Sequence, residues 1–268
     1  MSALPGRLVL LGHPVSQSVS PRFQNAALRA AGIPLTYEAI DVAPERLDDV
    51  LRELARVNGA GNVTIPHKEA VAARCVRASE LARRCGAVNT FWHEDGALVG
   101  HNTDVGGADS IMRVLLGGAV ENSRVALLGA GGSAAAVLCA IERWGGAEVR
   151  VYNRHMPRAE QLAARFSSIA RAVSSVDAAL EGAQLVVNAT PIGMRDDAHP
   201  IPVATLPAGC AVFDLVYRAE ETAWVRAARE AGHHGADGEG MLVEQGALSF
   251  ERWFGVAPDR AAMWKAMH

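Results

Sequence analysis

One lysine and one aspartate stand out as a pair that could move a proton. Lys68 lies in G-N-V-T-I-P-H-K-E-A, residues 61–70. Val63 and Ile65 alternate with Asn62 and Thr64, as a half-buried strand requires. Pro66 has no N–H to donate and ends that strand, so Lys68 falls on the element that follows. Asp104 follows H-N-T, and four more polar residues occupy comparable places. Ser18 and Ser20 lie in Q-S-V-S-P after the first strand, Thr64 precedes Lys68, and Asn89 lies in A-V-N-T. Each has an ordinary use as a helix cap, a turn residue or a solvated charge. Together they would line a site for a small polyhydroxylated anion, with Lys68 and Asp104 as the proton-handling pair.

A second motif, V-A-L-L-G-A-G-G-S-A at residues 125–134, is G-x-G-x-x-A between a predicted strand and a predicted helix. Gly129 suits the tight turn, Gly131 lets the backbone approach a pyrophosphate, and Ala134 lets helix pack closely on strand. The phosphates would lie at the positive helix N-terminus. An NAD site would place an acid at the end of the next strand. This chain has Asn153-Arg154 there, with Arg158 four residues on. Two guanidiniums suit a dianionic 2′-phosphate, so NADP is the expected cofactor.

The elements that must position these residues alternate between strand and helix. Strands are predicted at 7–12, 36–42, 61–65, 124–129, 148–153, 185–189 and 211–216, with a hairpin of 87–93 and 97–102 turned at Asp95-Gly96. Helices are predicted at 21–31, 45–57, 69–75, 78–85, 106–116, 132–144, 157–166, 221–231 and 241–254. The first has Ser20 as N-cap and Pro21 at its first position. The second carries Leu47, Val50, Leu51, Leu54 and Val57 on one face. The pattern implies an α/β protein with parallel sheets and right-handed crossovers.

At 268 residues the chain has room for two domains. Half of it is apolar, 21% is charged and the net charge is −3, with no basic block to suggest nucleic acid or an anionic membrane. Residues 1–5 lack the basic start of a signal peptide, and the longest uncharged run, 125–141, is too short to span a bilayer. Four scattered cysteines make no disulfide framework, and nine histidines show no metal-ligand spacing. A cytoplasmic protein without a metal is expected.

The ordered motifs resemble the shikimate dehydrogenase family along nearly the whole chain. They are S-V-S-P (18–21), N-V-T-I-P-H-K-E (62–69), G-A-V-N-T (86–90), N-T-D-x-G (102–106), G-A-G-G-S-A (129–134) and N-R-x-x-x-R (153–158). N-A-T-x-x-G-M (188–194), D-L-V-Y (214–217), A-D-G-x-G-M-L-V-x-Q (236–245) and W-F-G (253–255) continue the series. The resemblance implies NADPH-dependent reversible reduction of 3-dehydroshikimate to shikimate, with Lys68 as acid–base and Asp104 as its partner. Ser18, Ser20, Thr64, Asn89, Tyr217 and Gln245 would bind the substrate. Gly129, Ala130, Gly131, Gly132, Ser133, Asn153, Arg154 and Arg158 would bind NADP, with Thr190, Leu215, Gly238 and Met241 near the nicotinamide. It also implies a βαβ substrate domain over 1–105, completed by the returning segment 239–268, a Rossmann-type NADP domain over 106–238, and a cleft that closes between them.

The expected partner is the small-molecule substrate, with neither nucleic acid nor membrane, and the expected assembly a monomer or homodimer. Four positions depart from the commonest pattern: His155 where threonine often stands, Pro191-Ile192 in place of a small polar pair, Val105 for glycine and Leu215 for methionine. A quinate/shikimate or aminoshikimate dehydrogenase is the nearest rival, and a nucleotide-binding module without catalysis the rival from another class.

Overall fold

The structure, a computed structural model, describes residues 4–268. The chain divides into two compact units. One takes the described residues up to Asp104 together with Leu242–His268, and the other takes Val105–Met241.

The first unit begins β1 (Leu8–Gly12), α1 (Ser20–Ala30), β2 (Tyr37–Asp41), α2 (Leu47–Arg56), β3 (Ala60–Val63) and α3 (Lys68–Ala72). It continues β4 (Arg77–Ala78), α4 (Glu80–Cys85), β5 (Thr90–Glu94) and β6 (Ala97–His101), where α5 (Asp104–Leu115) leads onward. Its sheet has the order β2-β1-β3-β5-β6-β4. β1, β2 and β3 run parallel, whereas β5 is antiparallel to both β3 and β6. The hairpin expected from the sequence is present as β5 and β6. The Asp95-Gly96 turn, with φ of 52° and 77°, reverses the chain and makes the sheet mixed.

Alternation along β1 covers both faces of this sheet. Leu8 and Leu10 pack with Phe23, Ala27 and Leu28 of α1, and Val9 and Leu11 pack with Leu47, Leu51 and Leu54 of α2.

The second unit holds β7 (Arg124–Leu128), α6 (Gly132–Ile141), β8 (Glu148–Tyr152), α7 (Met156–Arg165), β9 (Ala170–Ala172) and α8 (Val176–Leu180). β10 (Leu185–Asn188), β11 (Ala211–Asp214), α9 (Ala223–Glu230) and β12 (Gly235–Ala236) follow. Its sheet is parallel throughout, in the order β12-β11-β10-β7-β8-β9. Counted from β7 as first strand, this is the 3-2-1-4-5-6 order of dinucleotide-binding sheets, with the reversal between β7 and β10. α6 is buried from Ala134 to Ile141, which accounts for the long uncharged run. α10 (Gly238–Phe254) then crosses from the second unit's sequence into the first, and α11 (Arg260–Met267) ends the chain. Val243, Ala247 and Phe250 of α10 and Met263 and Met267 of α11 join the Leu8–Phe23 core.

Several local expectations are corrected. Ser20 does not cap α1. It is the first helical residue and is buried, Val19 holds the cap position, and Pro21 is therefore second in the helix. One free N–H near the helix start is met by Ser18, whose Oγ accepts from Ser20 N at 3.3 Å. The helix expected at 45–57 begins with a 3₁₀ turn, Pro44–Arg46, and Val57 lies beyond its end, 47% exposed. Ile65 lies outside β3 and is 69% exposed, because the chain already turns at Thr64. The short β4, β9, β12 and α8, and the helix α11, were not anticipated.

Candidate active site and nucleotide loop

Lys68 is the first residue of α3. The turn before it is fixed by backbone bonds from Thr64 N to Leu11 O and from His67 N to Thr64 O. The buried His67 ring adds a bond from Nε2 to Val42 O at 2.6 Å. The backbone carbonyl of Lys68 accepts from Val88 N, so the helix start is tied to the segment leading to Asn89. From this anchored position Lys68 Nζ donates to Asp104 Oδ2 at 2.6 Å. The two side chains are 23% and 10% exposed, so the pair is far less screened than one on the surface.

Asp104 opens α5, where Asn102 Oδ1 accepts from its backbone N–H. Its second carboxylate oxygen accepts from Asn89 Nδ2 at 2.8 Å, so each oxygen has its own donor. Asn89 Nδ2 has two hydrogens but three acceptors within reach: Asp104 Oδ1, Thr103 Oγ1 at 2.9 Å and Gln245 Oε1 at 3.1 Å. The longest of these leaves Gln245 Oε1 with capacity for a further donor. Gln245 is held from the other end by donation from Nε2 to Leu242 O.

A buried chain of side chains backs this group. Tyr37 Oη donates to Asn62 Oδ1 at 2.8 Å, and Asn62 Nδ2 donates to Ser249 Oγ at 2.8 Å. Ser249 Oγ lies 2.9 Å from Thr103 Oγ1, and Thr103 N donates to Asn89 Oδ1. Complete burial pushes the Tyr37 phenol far above its ordinary range, so it remains a neutral donor.

The structure thus joins Lys68, Asp104, Asn89 and Gln245 by hydrogen bonds. Ser18, on the loop after β1, accepts from the backbone N–H of Ser20 at the start of α1. Thr64 closes on that loop, its Cγ2 lying 2.5 Å from where a Cβ on Gly12 would stand. Tyr217 lies in the second unit, its phenol raised by burial. Tyr37 and Ser249 escaped the sequence reading, and Thr103 was quoted in N-T-D-x-G without an assigned role. Asn62 stood in a quoted motif without an assigned role.

In the second unit Gly129 has φ +110°, and a Cβ there would come within 2.8 Å of Ala189 O and 3.2 Å of Thr190 Cγ2. Only glycine fits this turn, which sits where the loops after β7 and β10 meet. Beyond Gly131 and Gly132 a Cβ would meet nothing within 4 Å. Together with Ala130 and Ser133 they leave the start of α6 open for a phosphate to reach backbone N–H groups. Leu215 N donates to Asn188 O and Gly238 N to Val216 O, which draws Leu215 and Gly238 to the same strand ends as Thr190. Met241 is buried nearby in sequence, in the first turn of α10.

At the end of β8, Asn153 Nδ2 donates to His155 O, and Arg154 and Arg158 are exposed. Among the described residues no ion pair engages either arginine. The donor set, two free guanidiniums with no acid at the strand end, fits a nucleotide carrying a 2′-phosphate. Among the described residues no group of three metal-ligating side chains occurs, and no helix is long and apolar enough to cross a membrane.

Comparison with known proteins finds relatives along nearly the whole chain. Residues 10–91 match the shikimate dehydrogenase substrate binding domain, residues 112–193 the shikimate / quinate 5-dehydrogenase family, and residues 238–268 the shikimate 5′-dehydrogenase C-terminal domain. The shikimate dehydrogenase (NADP(+)) of Rubrobacter xylanophilus is 44% identical over 268 residues, covering 96% of this chain and 94% of its own. The crystal structure of shikimate 5-dehydrogenase from Thermus thermophilus in complex with NADP(H) and shikimate has 40% identity and a TM-score of 0.88, covering 97% of this chain and 98% of that one. Quinate dehydrogenase from Corynebacterium glutamicum in complex with NAD has 30% identity and a TM-score of 0.89, covering 97% of each chain. With such identity over nearly its whole length, and a closely similar fold, the chain belongs to the shikimate dehydrogenase family.

Proposed function

We propose that this protein catalyses the NADP-dependent interconversion of 3-dehydroshikimate and shikimate. The observation that carries the reading is the Lys68–Asp104 pair, oriented by Asn89 and bordered by Gln245 with acceptor capacity to spare. Residues 1–105 with 239–268 form the substrate domain and 106–238 the nucleotide domain. When bound, NADPH supplies the hydride to the ketone carbon. Lys68 delivers a proton from its ammonium to the ketone oxygen and recovers it from the alcohol in the reverse direction. Asp104 holds that ammonium in place and accepts from the substrate hydroxyl.

Ser18, Ser20, Thr64, Asn89, Tyr217 and Gln245 bind the substrate's carboxylate and hydroxyls. Gly129 to Ser133 receive the pyrophosphate, while Asn153, Arg154 and Arg158 hold the 2′-phosphate end. Thr190, Leu215, Gly238 and Met241 border the nicotinamide.

Initial rates with shikimate and quinate, each with NADP and NAD, test the reading. Fast turnover confined to shikimate with NADP is expected. Comparable rates with quinate or NAD would place the protein with the paralogues, and no turnover in any combination would leave a nucleotide-binding module. Lys68→Ala should lower kcat by about 10²- to 10⁴-fold with a smaller change in KM for shikimate. A change confined to KM would remove Lys68 from the chemistry.

A further inference from the structure

The second unit buries a carboxylate that the proposed chemistry does not use. Asn188 ends β10 and Asp214 ends β11; they are register partners in the parallel sheet, and both are fully buried. Asn188 Nδ2 donates to Asp214 Oδ1 at 2.8 Å, and the same oxygen accepts from Val216 N at 3.1 Å. Asp214 Oδ2 accepts from Thr222 Oγ1 at 3.0 Å. Asn188 Oδ1 accepts from Thr190 N at 3.0 Å and Thr190 Oγ1 at 2.7 Å. Two side chains therefore pin the loop that leaves β10 and the loop that leaves β11.

No cation pairs with Asp214 among the described residues, and the carboxylate of Asp237 acts against its charge. Burial pushes its carboxyl up to about 6. An isolated buried carboxylate is costly, and an apolar side chain at this strand end would avoid the cost. What Asp214 provides is an acceptor oxygen, Oδ1, at the end of β11. It obliges Asn188 to present its NH₂ to the sheet and its oxygen to Thr190. The pinned loops carry Thr190 and Leu215, and the first of them abuts the Gly129 turn.

We propose that Asp214, acting through Asn188, is a positioning residue for nucleotide binding, holding the loops after β10 and β11 against the glycine turn after β7. The proposal rests on the assignment of this unit as the nucleotide domain. An asparagine at position 214 would still accept from Asn188 and Val216 and could donate to the Thr222 hydroxyl, so it should preserve the clamp. An alanine would not.

The test is a fluorescence titration of NADPH into the full-length protein, at a temperature where every variant remains folded by circular dichroism. Asp214→Ala and Asn188→Ala should each weaken NADPH binding about tenfold or more, with the NADPH-to-NADH preference unchanged. Asp214→Asn should stay within about threefold of the unsubstituted protein. Should Asp214→Ala fail to fold, Asn188→Ala carries the same criterion. Unchanged affinity in the alanine variants would overturn the proposal, as would an equal loss in Asp214→Asn. If the unsubstituted protein fails to bind NADPH, both this proposal and the functional reading fall. If it binds NADPH without oxidising shikimate, only the assigned activity falls.

Discussion

Arg154 is exposed and engages in no described ion pair, so its substitution should report on ligand contact rather than on folding. Arg154→Ala should raise KM for NADPH about tenfold or more and leave that for NADH nearly unchanged, because only the former carries a 2′-phosphate. Steady-state kinetics with both nucleotides decides it. Equal effects would mean that the guanidinium does not meet that phosphate. Lys68, Asp104 and Asn89 were legible in the sequence because their types, within or just after predicted strands, announce polar chemistry. Ser249 and Tyr37 were not. Ser249 lies 187 positions from Asn62, among the apolar residues of α10, and Tyr37 is enclosed on a short strand. Nothing local marks such residues as members of one hydrogen-bonded chain. Ser20 taught the opposite lesson: a serine before a proline reads as a cap, yet a hydroxyl two residues earlier meets the backbone N–H.

The paired ends of β10 and β11 make a pH prediction at the scale of elements. The Asp214 carboxyl is raised from 3.8 to about 6, first by desolvation, so the native state holds its proton more tightly than the unfolded chain does. Its contribution is therefore favourable at low pH and is lost as pH rises from about 4 through about 6. At neutral pH the ionised group costs up to about 3 kcal/mol. Asp214→Asn, which keeps the hydrogen bonds, should raise Tm at pH 7.5, and the gain should nearly vanish at pH 4. Thermal melts at the two values check this; an equal gain at both would mean that ionisation is not the source. Long periodic elements such as α2 and the Asp95-Gly96 hairpin were legible because period and turn chemistry agree. β4 and β12 are two residues each, too short to show a period. α11 carried a readable signal, since Asp259 caps it by accepting from Ala262 N at 3.0 Å.

For the whole molecule, strand order was the least legible property, because it depends on pairing between distant segments rather than on local pattern. The core beside β1 illustrates this. It joins Leu8, Leu10 and Phe23 to Val243, Phe250 and Met263 across most of the sequence. Phe250→Ala should destabilise this unit by about 3–5 kcal/mol. Urea unfolding should show the loss, while NADPH titration, reporting on the other unit, should remain near normal. A general loss of NADPH binding would mean that the two units do not unfold independently.

The interrupted first unit also sets a timetable. Residues 105–241 emerge between its two parts, 137 positions in all, which takes on the order of ten seconds of translation. The inserted unit is continuous and can fold on the ribosome as it emerges. The Lys68–Asp104 pair must meanwhile wait without Gln245 and Ser249 behind Asn89. A released fragment ending at residue 241 should therefore present a protease-resistant second unit and an unfinished, protease-sensitive first unit, and the hydrogen-bonded group around Asn89 is complete only once the last helices are made.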